Sequence, residues 1–533
     1  MKKNFLIALS VFVILAGTAF GSYYFIESKI DHFLKSEIRK KLGDEYTFDY
    51  QATEWSVFES SVAVKELLLE KKSSVASNWK VEVDLAEMFG FKPLVFLKEN
   101  AFRVDSVLIG SPEIKITNFN NGGRNKESKV ADGEPSAEIS FGKISLTEGR
   151  LTYNPEGPEN LQTGFEFETT DLTIDQDQIG NILTWKDARV SLNDIRYHFS
   201  DSIYHAEVDR ITYSSQNEEF SVLNTKLKSN LDIAEYSRQF GWRKSMFTAE
   251  IPEITIEKPI NFGDSLGFIP KIHIHKPSVS LKKDLRFPLP DRITDLPQKL
   301  ISNLSPCFQV DSVEVTDGEF AVGLKHDNGN ETELSFSDVY ANLTKIQNIK
   351  PALPAFVFNA HAIFMDEAEL TLTTSYDYGD LEPFTISGKL DAVSLTFLDE
   401  FLNSSAGIEL KEGALHELEF EMNGNTYGVS GTVDMEYSNL SLNLVDKETH
   451  EKRKFLSKVA DLLGGLIFWK ENPDNNEFRT GVIEMERDAR KGFVAQWVDG
   501  LLDGMINSIL RIDREKIEKA QEKRKERREN RGN

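Results

Sequence analysis

The sequence predicts a mainly β protein carried on an N-terminal transmembrane helix. Three observations predict it. An uncharged apolar run lies near the start, aliphatic and polar residues alternate over long stretches, and a strand motif punctuated by Gly or Pro recurs six times. Alternation at period two keeps one face of a strand dry and the other wet, whereas a helix needs a period near 3.6.

The bulk properties narrow the reading. A chain of 533 residues exceeds one ordinary domain. Its 40% hydrophobic content and 36 phenylalanines exclude a disordered chain. A formal net charge of −24 disfavours nucleic acid, because phosphate binding needs a concentrated basic surface. The same charge disfavours broad contact with anionic lipid headgroups. One cysteine, Cys307, allows no disulfide within the chain and fits either redox compartment.

Residues 1–4 form a short stub containing Lys2 and Lys3, and residues 5–26 are the predicted anchor. About 20 apolar residues, at roughly 1.5 Å each, span a bilayer core. A cleaved signal peptide is the alternative, with Ala19-Phe20-Gly21 at plausible cleavage spacing. The apolar run continues through Tyr23, Tyr24, Phe25 and Ile26, which favours a retained anchor with an aromatic belt. A strict Lys/Arg count across the two flanks points the other way from export, since Lys29, Lys35, Arg39, Lys40 and Lys41 follow the run. Those cations are mixed with Glu27, Asp31 and Glu37, and export remains the expectation.

Residues 27–118 hold an amphipathic helix over 27–43, with Ile30, Phe33, Leu34, Ile38 and Leu42 at three- and four-residue spacing, and then the first strands. Val62 and Val64, Val81 and Val83, and Ile114 and Ile116 mark those strands. Residues 119–137 read as a polar linker. Residues 138–445 continue as repetitive sheet. The recurring motif is aliphatic, any, aliphatic, two residues, Gly or Pro, any, apolar, read as strand, turn and strand. Its copies run Val107, Ile109, Pro112, Ile114; Ile144, Leu146, Gly149, Leu151; Ile254, Ile256, Pro259, Ile260; Ile272, Ile274, Pro277, Val279; Val313, Val315, Gly318, Phe320; and Ile408, Leu410, Gly413, Leu415. Two copies share a lead-in, Val104-Asp105-Ser106-Val107 and Val310-Asp311-Ser312-Val313. The spacing is irregular, so a strict-period solenoid is excluded.

Short helices are expected at Asp291 to Leu304, broken near Pro297, and at Leu398 to Leu402. Residues 446–511 form a β/α cap with amphipathic helices over 451–468 and 489–511. In the second, Phe493, Trp497, Leu501, Met505 and Ile509 make an apolar stripe, and Gln496, Asp499, Asp503 and Asn507 make the polar face. The stripe either caps the sheet or touches a membrane or partner; the lack of a basic residue opposite it favours capping. Residues 512–533 are a charged tail.

No catalytic signature is present: no GxGxxG after a strand, P-loop, HExxH or GxSxG. The expectation is therefore a non-enzyme with no cofactor. Cys307 is expected as a buried structural thiol rather than a nucleophile. His273 and His275 share one strand face, and a solvent-facing strand edge is preferred over a metal site. Asp327-Asn328-Gly329 is a hairpin turn rather than a calcium loop.

Taken together the segments resemble the AsmA-like family of bacterial envelope proteins. The resemblance is carried by Trp55-Ser56-Val57-Phe58, by Pro93 to Leu97 leading to Phe102-Arg103-Val104-Asp105-Ser106-Val107 and Pro112-Glu113-Ile114, by Ile408 to Leu415 with Gly431-Thr432-Val433 and Tyr437 to Leu440, and by Gly481 to Phe493. It covers most of the chain with degenerate motifs. It implies an elongated, curled sheet with an apolar groove, anchored in the cell inner membrane as a single pass with the bulk of the chain periplasmic. It further implies phospholipid acyl chains as cargo, transport between inner and outer membranes or a role in outer-membrane biogenesis, and an outer-membrane or periplasmic protein partner. The alternative is a non-transporting envelope scaffold or regulator. The groove residues expected on this reading are Val107, Ile109, Ile144, Leu146, Ile254, Ile256, Ile272, Ile274, Val313, Val315, Ile408 and Leu410.

Overall fold

In a computed structural model the chain divides into two compact units, residues 1–225 and 226–533. The division falls inside the stretch 138–445 that the sequence reads as one repetitive sheet. The structure describes residues 46–56, 59–71, 78–92, 102–117, 139–154, 157–177, 180–257, 267–305, 307–349, 355–379, 381–406, 408–444 and 469–510. The expected anchor, the helices over 27–43 and 451–468, the linker 119–137 and the tail 512–533 lie outside the described residues. Among the described residues no helix is long and apolar enough to cross a membrane.

The first unit is all strand where described: β1 (Tyr46–Asp49), β2 (Ala52–Ser56), β3 (Ser61–Lys71), β4 (Asn78–Phe89), β5 (Phe102–Gly110), β6 (Glu113–Thr117), β7 (Ile139–Tyr153), β8 (Asn160–Asp177), β9 (Gly180–Thr184), β10 (Asp187–His198) and β11 (Tyr204–Ser214). Strand β12 (Glu219–Ser229) spans the division. The second unit adds α1 (Ile233–Phe240), β13 (Met246–Glu257), β14 (Gly267–His275), β15 (Ser278–Asp284), α2 (Pro297–Ser302), β16 (Phe308–Lys325), β17 (Glu331–Gln347), β18 (Phe356–Phe364), β19 (Ala368–Tyr376), β20 (Phe384–Leu390), β21 (Val393–Ser394), a 3-10 turn (Leu395–Leu398), α3 (Asp399–Ala406), β22 (Ile408–Gly424), β23 (Gly428–Leu444), β24 (Thr480–Glu486) and α4 (Phe493–Ile509).

The repeated motif is not a turn. In each copy whose punctuation is described, the Gly or Pro sits at an irregularity that the strand runs straight past. Strands β5 and β6 form one line broken at Ser111-Pro112, and β4 pairs antiparallel with both halves. Strands β14 and β15 form another line broken at Lys276-Pro277, and β13 pairs with both halves. In β7 and β16 the register slips at Gly149 and Gly318 without ending the strand, and β22 slips between Leu410 and Ala414. In four of these five copies the residue before the Pro or Gly takes a left-handed φ: 49° at Ser111, 55° at Glu148, 50° at Lys276 and 52° at Asp317. Across the two Pro breaks the register with β4 and β13 is unchanged, so no residue is inserted there and the left-handed residue itself resets the alternation, keeping the aliphatics on both sides on one face. At Gly149 the slip against β8 is a β-bulge, which bends the strand and sharpens its twist.

The same device occurs once in each unit. A Pro-broken strand lies parallel to a Gly-bulged strand, β5 and β6 against β7 and β14 and β15 against β16. The sheet is therefore mixed, with parallel as well as antiparallel neighbours. Backbone bonds lock the paired irregularities together: Ser111 N–H to Thr147 O (2.8 Å) and Arg150 N–H to Pro112 O (2.8 Å) in the first unit. Lys276 N–H to Thr316 O (2.8 Å) and Glu319 N–H to Pro277 O (2.7 Å) repeat the pattern in the second. Parallel neighbours need a long crossover. In the second unit that crossover is the stretch 285–307, which holds α2.

Helices differ from expectation in two places. Helix α2 is shorter than the predicted 291–304 and begins at Pro297, whose missing N–H costs nothing in a first turn. Helix α1 was not anticipated. Asp232 and Glu235 form a reciprocal capping box and Gly241 closes the helix in the left-handed conformation.

The left-handed geometry makes a test. Lys276 is exposed and holds a left-handed φ. A β-branched side chain is strained there, so Lys276→Val is expected to lower stability by about 1–2 kcal/mol. Lys276→Gly, which has no Cβ, is expected to leave the denaturation midpoint close to wild type. Equal losses in both variants would refute the role of the left-handed residue.

Candidate functional site

Directly opposed residues on neighbouring strands present their side chains to the same face. In the second unit this rule builds a continuous apolar face from the predicted aliphatics. Ile256, Ile272, Val313, Leu343 and Phe358 form one cross-strand row, and Ile254, Ile274, Val315, Ala341 and Ala360 form the next. Beyond the bulges the face continues through Ala249, Val279, Phe320, Phe336 and Phe364, then through Phe247, Leu281, Val322 and Leu334. The three phenylalanines form a ladder, with ring centroids 5.9 Å apart for Phe320 and Phe336 and 5.1 Å for Phe336 and Phe364. Such spacings suit offset or tilted aromatic pairs.

One end of this face is closed and the other is open. From β18 to β24 it enters a core that includes Phe356, Ile386, Leu418, Met422, Val433 and Ile483, all nearly free of solvent. The 3-10 turn, α3 and α4 pack over that core. Over β13 to β17 the rows above are mostly half-buried, Ala341 being buried and Phe247 45% exposed. The predicted residues Ile254, Ile256, Ile272, Ile274, Val313 and Val315 all lie in the open part. Ile408 and Leu410 do not join them. Leu410 is buried in the closed core, and its N–H donates to the Asp399 carboxylate of α3 (2.6 Å). In the first unit, Val107 pairs with Ile144 and Ile109 with Leu146. Val107 belongs to a buried cluster with Val62, Val64 and Met88; Ile109 and Ile144 pack on its margin, and Leu146 is half-buried.

Helix α4 covers the closed end in a way the sequence did not disclose. Phe493, Trp497, Leu501, Met505 and Ile509 are partly buried against the core. The most buried face, however, is Gln496, Gly500, Asp503, Gly504 and Ser508. The glycines bring the helix onto the sheet: a Cβ on Gly481 of β24 would lie 1.9 Å from Gly504 O, and one on Gly504 would lie 2.4 Å from Val433. The polar side chains then bond strand β24 backbone. Glu484 N–H donates to the Asp503 carboxylate (3.0 Å), and the Asn507 amide donates to Val482 O (2.7 Å). Gln496 donates to Asn425 O at the β22–β23 turn (3.1 Å). Residues that read as a solvent face are thus backbone partners for a strand, so Gln496 and Asp503 are a correction to the sequence reading. The only sequence hint was Gly500 and Gly504 at four-residue spacing beside them.

The opposite, polar face of the second unit carries the histidines. Strand β14 is an interior strand between β13 and β16, not an edge as expected. His273 lies 3.1 Å from Glu314 and 3.5 Å from Glu257, and His275 contacts the Thr316 hydroxyl at 3.0 Å. The Lys271 ammonium, hydrogen-bonded to Glu314, holds that carboxyl below the usual range. Among the described residues no His, Cys, Asp or Glu group is arranged to hold a metal ion. Cys307 is exposed, not buried as expected. Asp327, Asn328 and Gly329 form the β16–β17 turn, with Gly329 N–H bonded to His326 O (2.9 Å).

No protein-family model and no curated protein matches the chain.

The α4 packing makes a second test. The Trp497 ring lies 5.5 Å from Phe493 and 6.3 Å from Tyr376. Trp497→Glu puts a charge into this contact and is expected to destabilise by several kcal/mol, on the order of 3. Val498→Glu, on the exposed side of the same helix, is expected to change the melting temperature little. A wild-type melting temperature for Trp497→Glu would show that the stripe does not cap the core.

Proposed function

We propose that this chain is a membrane-anchored, extracytoplasmic protein that carries lipid on an apolar β-face, moving phospholipid between inner and outer membranes or serving outer-membrane assembly. The single observation that carries the reading is the open apolar face of β13 to β17, continuous in cross-strand register and left uncovered where its neighbour is closed by helices. A soluble surface of that extent normally marks a binding function. Acyl chains suit it because they need no polar partner and gain roughly 0.8 kcal/mol per buried CH₂. The register slips support a curled groove, since a β-bulge bends its strand. The apolar run over 5–26 and the sequence resemblance to the AsmA-like family support anchoring and export. A non-transporting envelope scaffold is the second reading, favoured by the closed core beneath α3 and α4.

Two experiments test this reading. Photo-crosslinking amino acids at Ile256, Ile274 and Val315 are expected to capture lipid in cells. The same probe at Thr255, His273 and Glu314, one residue along and facing the other way, is expected to capture none. Equal capture at both sets would remove the groove and leave the scaffold. A reporter fused after Asn533 is expected to be active only in its extracytoplasmic form; a cytoplasmic signal would overturn the topology.

A further inference from the structure

Several exposed apolar side chains of the second unit gather at one end of its strands. Cross-strand register defines that end: Gln309 lies beside Gln347, Thr344 beside Val357, Phe356 beside Tyr376, Phe384 beside Gly424 and Gly428 beside Glu486. Hydrogen bonds tie the loops there into a rim. The Asn348 side chain accepts from Phe308 N–H (2.7 Å) and donates to Leu304 O (2.7 Å), which brings the stretch after α2 to the start of β16. Gln298 of α2 donates to Glu382 O (2.7 Å) in the β19–β20 turn, and Thr426 N–H in the β22–β23 turn donates to Leu381 O (3.1 Å). Arg487, just after β24, closes the circuit. Its N–H donates to Tyr427 O (2.7 Å), and its guanidinium donates to Thr294 O, ahead of α2. On this rim stand Ile293, Leu300, Leu304, Leu381 and Tyr427, all exposed. Ile293 and Tyr427, at 75% and 70%, are the most exposed large apolar side chains among the described residues. Lone exposed aliphatics are ordinary on a protein surface; five on one bonded rim call for a partner.

Resting on the lipid-carrying reading above, we infer that this rim seats in a lipid bilayer, with the five apolar side chains inserted at the level of the outer acyl chains. They stand on separate turns with hydrogen-bonded backbone between them, so they lack the contiguous apolar core of a protein–protein interface. A bilayer needs none, because acyl chains close around each tip separately. Tyrosine suits that depth, with its ring among the chains and its hydroxyl among the headgroups. Charge points the same way. Residues 291–304, 377–382, 425–427 and 487–492 together carry five Lys or Arg against six Asp or Glu, whereas the whole chain stands at −24. This end therefore escapes the repulsion that holds the rest of the surface away from anionic headgroups. Strand β16 begins and β17 ends at the rim, so a lipid on the open face meets the bilayer there.

The test places one fluorophore on the full chain. Cys307→Ser removes the native thiol, and Ile293→Cys or Tyr427→Cys carries the label. Phosphatidylcholine vesicles bearing nitroxide groups on their acyl chains quench any label that enters the hydrocarbon. Both rim labels are expected to be quenched. A label at Asn328→Cys, exposed in the turn at the opposite end of β16, is expected to stay bright. With the label at Tyr427→Cys, adding Ile293→Ser is expected to lower the ratio of quenched to unquenched label about tenfold, the scale of one buried aliphatic side chain. The melting temperature is expected to stay at the wild-type value, because Ile293 is exposed, so the loss cannot be ascribed to unfolding. Bright labels at both rim positions, with lipid still captured by the crosslinker at Ile274, overturn the rim and leave the carrying reading standing. Quenched rim labels with no capture at Ile274 overturn the carrying reading and leave the rim as a membrane contact. Equal quenching at Asn328→Cys overturns the choice of this end. A photo-crosslinker at Tyr427 that captures a protein in cells, while the rim labels stay bright with vesicles, overturns the bilayer in favour of a protein partner.

Discussion

Long strands twist, and twist limits how far a sheet can keep one face dry. Strands β8 and β16 each run 18 residues, roughly 60 Å at about 3.3 Å per residue. Right-handed twist over that distance would turn the apolar rows away from one another. The left-handed residues absorb this constraint. They fall in line on neighbouring strands, Ser111 beside Glu148 and Lys276 beside Asp317, so the strands bend together and stay in register. Everything that follows, including the parity change in the aliphatic pattern and the shared apolar face, depends on that alignment.

The second unit then treats its dry face in two ways. Toward β24 the face is sealed by helices whose side chains interdigitate with Leu418, Met422 and Ile483. Toward β13 it is left to the solvent, although the residues are of the same type. A sequence that needed only stability would have covered both ends, because half-buried aliphatic rows forgo burial energy and invite association. The aromatic ladder of Phe320, Phe336 and Phe364 partly compensates by packing in tilted and stacked pairs.

The β class and most of the open face were legible in the sequence, because alternation at period two needs no knowledge of partners. Ile254, Ile256, Ile272, Ile274, Val313 and Val315 fall into adjacent rows as their spacing implies. The turn reading of the motif failed for a physical reason. Gly or Pro after an isolated polar residue serves a reversal and an in-line irregularity equally well, and only the neighbouring strand decides between them. The parallel pairs were hidden likewise, since pairing direction leaves no mark on a single strand. Helix α1 was readable from Asp232 and Glu235 but is only eight residues long, too short for its periodicity to stand out. The polar face of α4 was misread because Asp503 and Asn507 answer to backbone groups of β24, which carry no side-chain signature.

The helix over β24 also bears on how the chain comes into being. Strand β24 is synthesised before α4, so there is an interval in which Glu484 N–H and Val482 O have no partner and the sheet ends in a bare, sticky margin. Any second nascent chain at that stage presents the same margin, and strand-to-strand addition between copies is the natural error. The few residues between Glu486 and Phe493 shorten the interval, because a helix tethered that closely reaches its seat sooner than another molecule can diffuse to it. The local tether thus acts as a timing device against misassembly, beyond the packing it provides once in place.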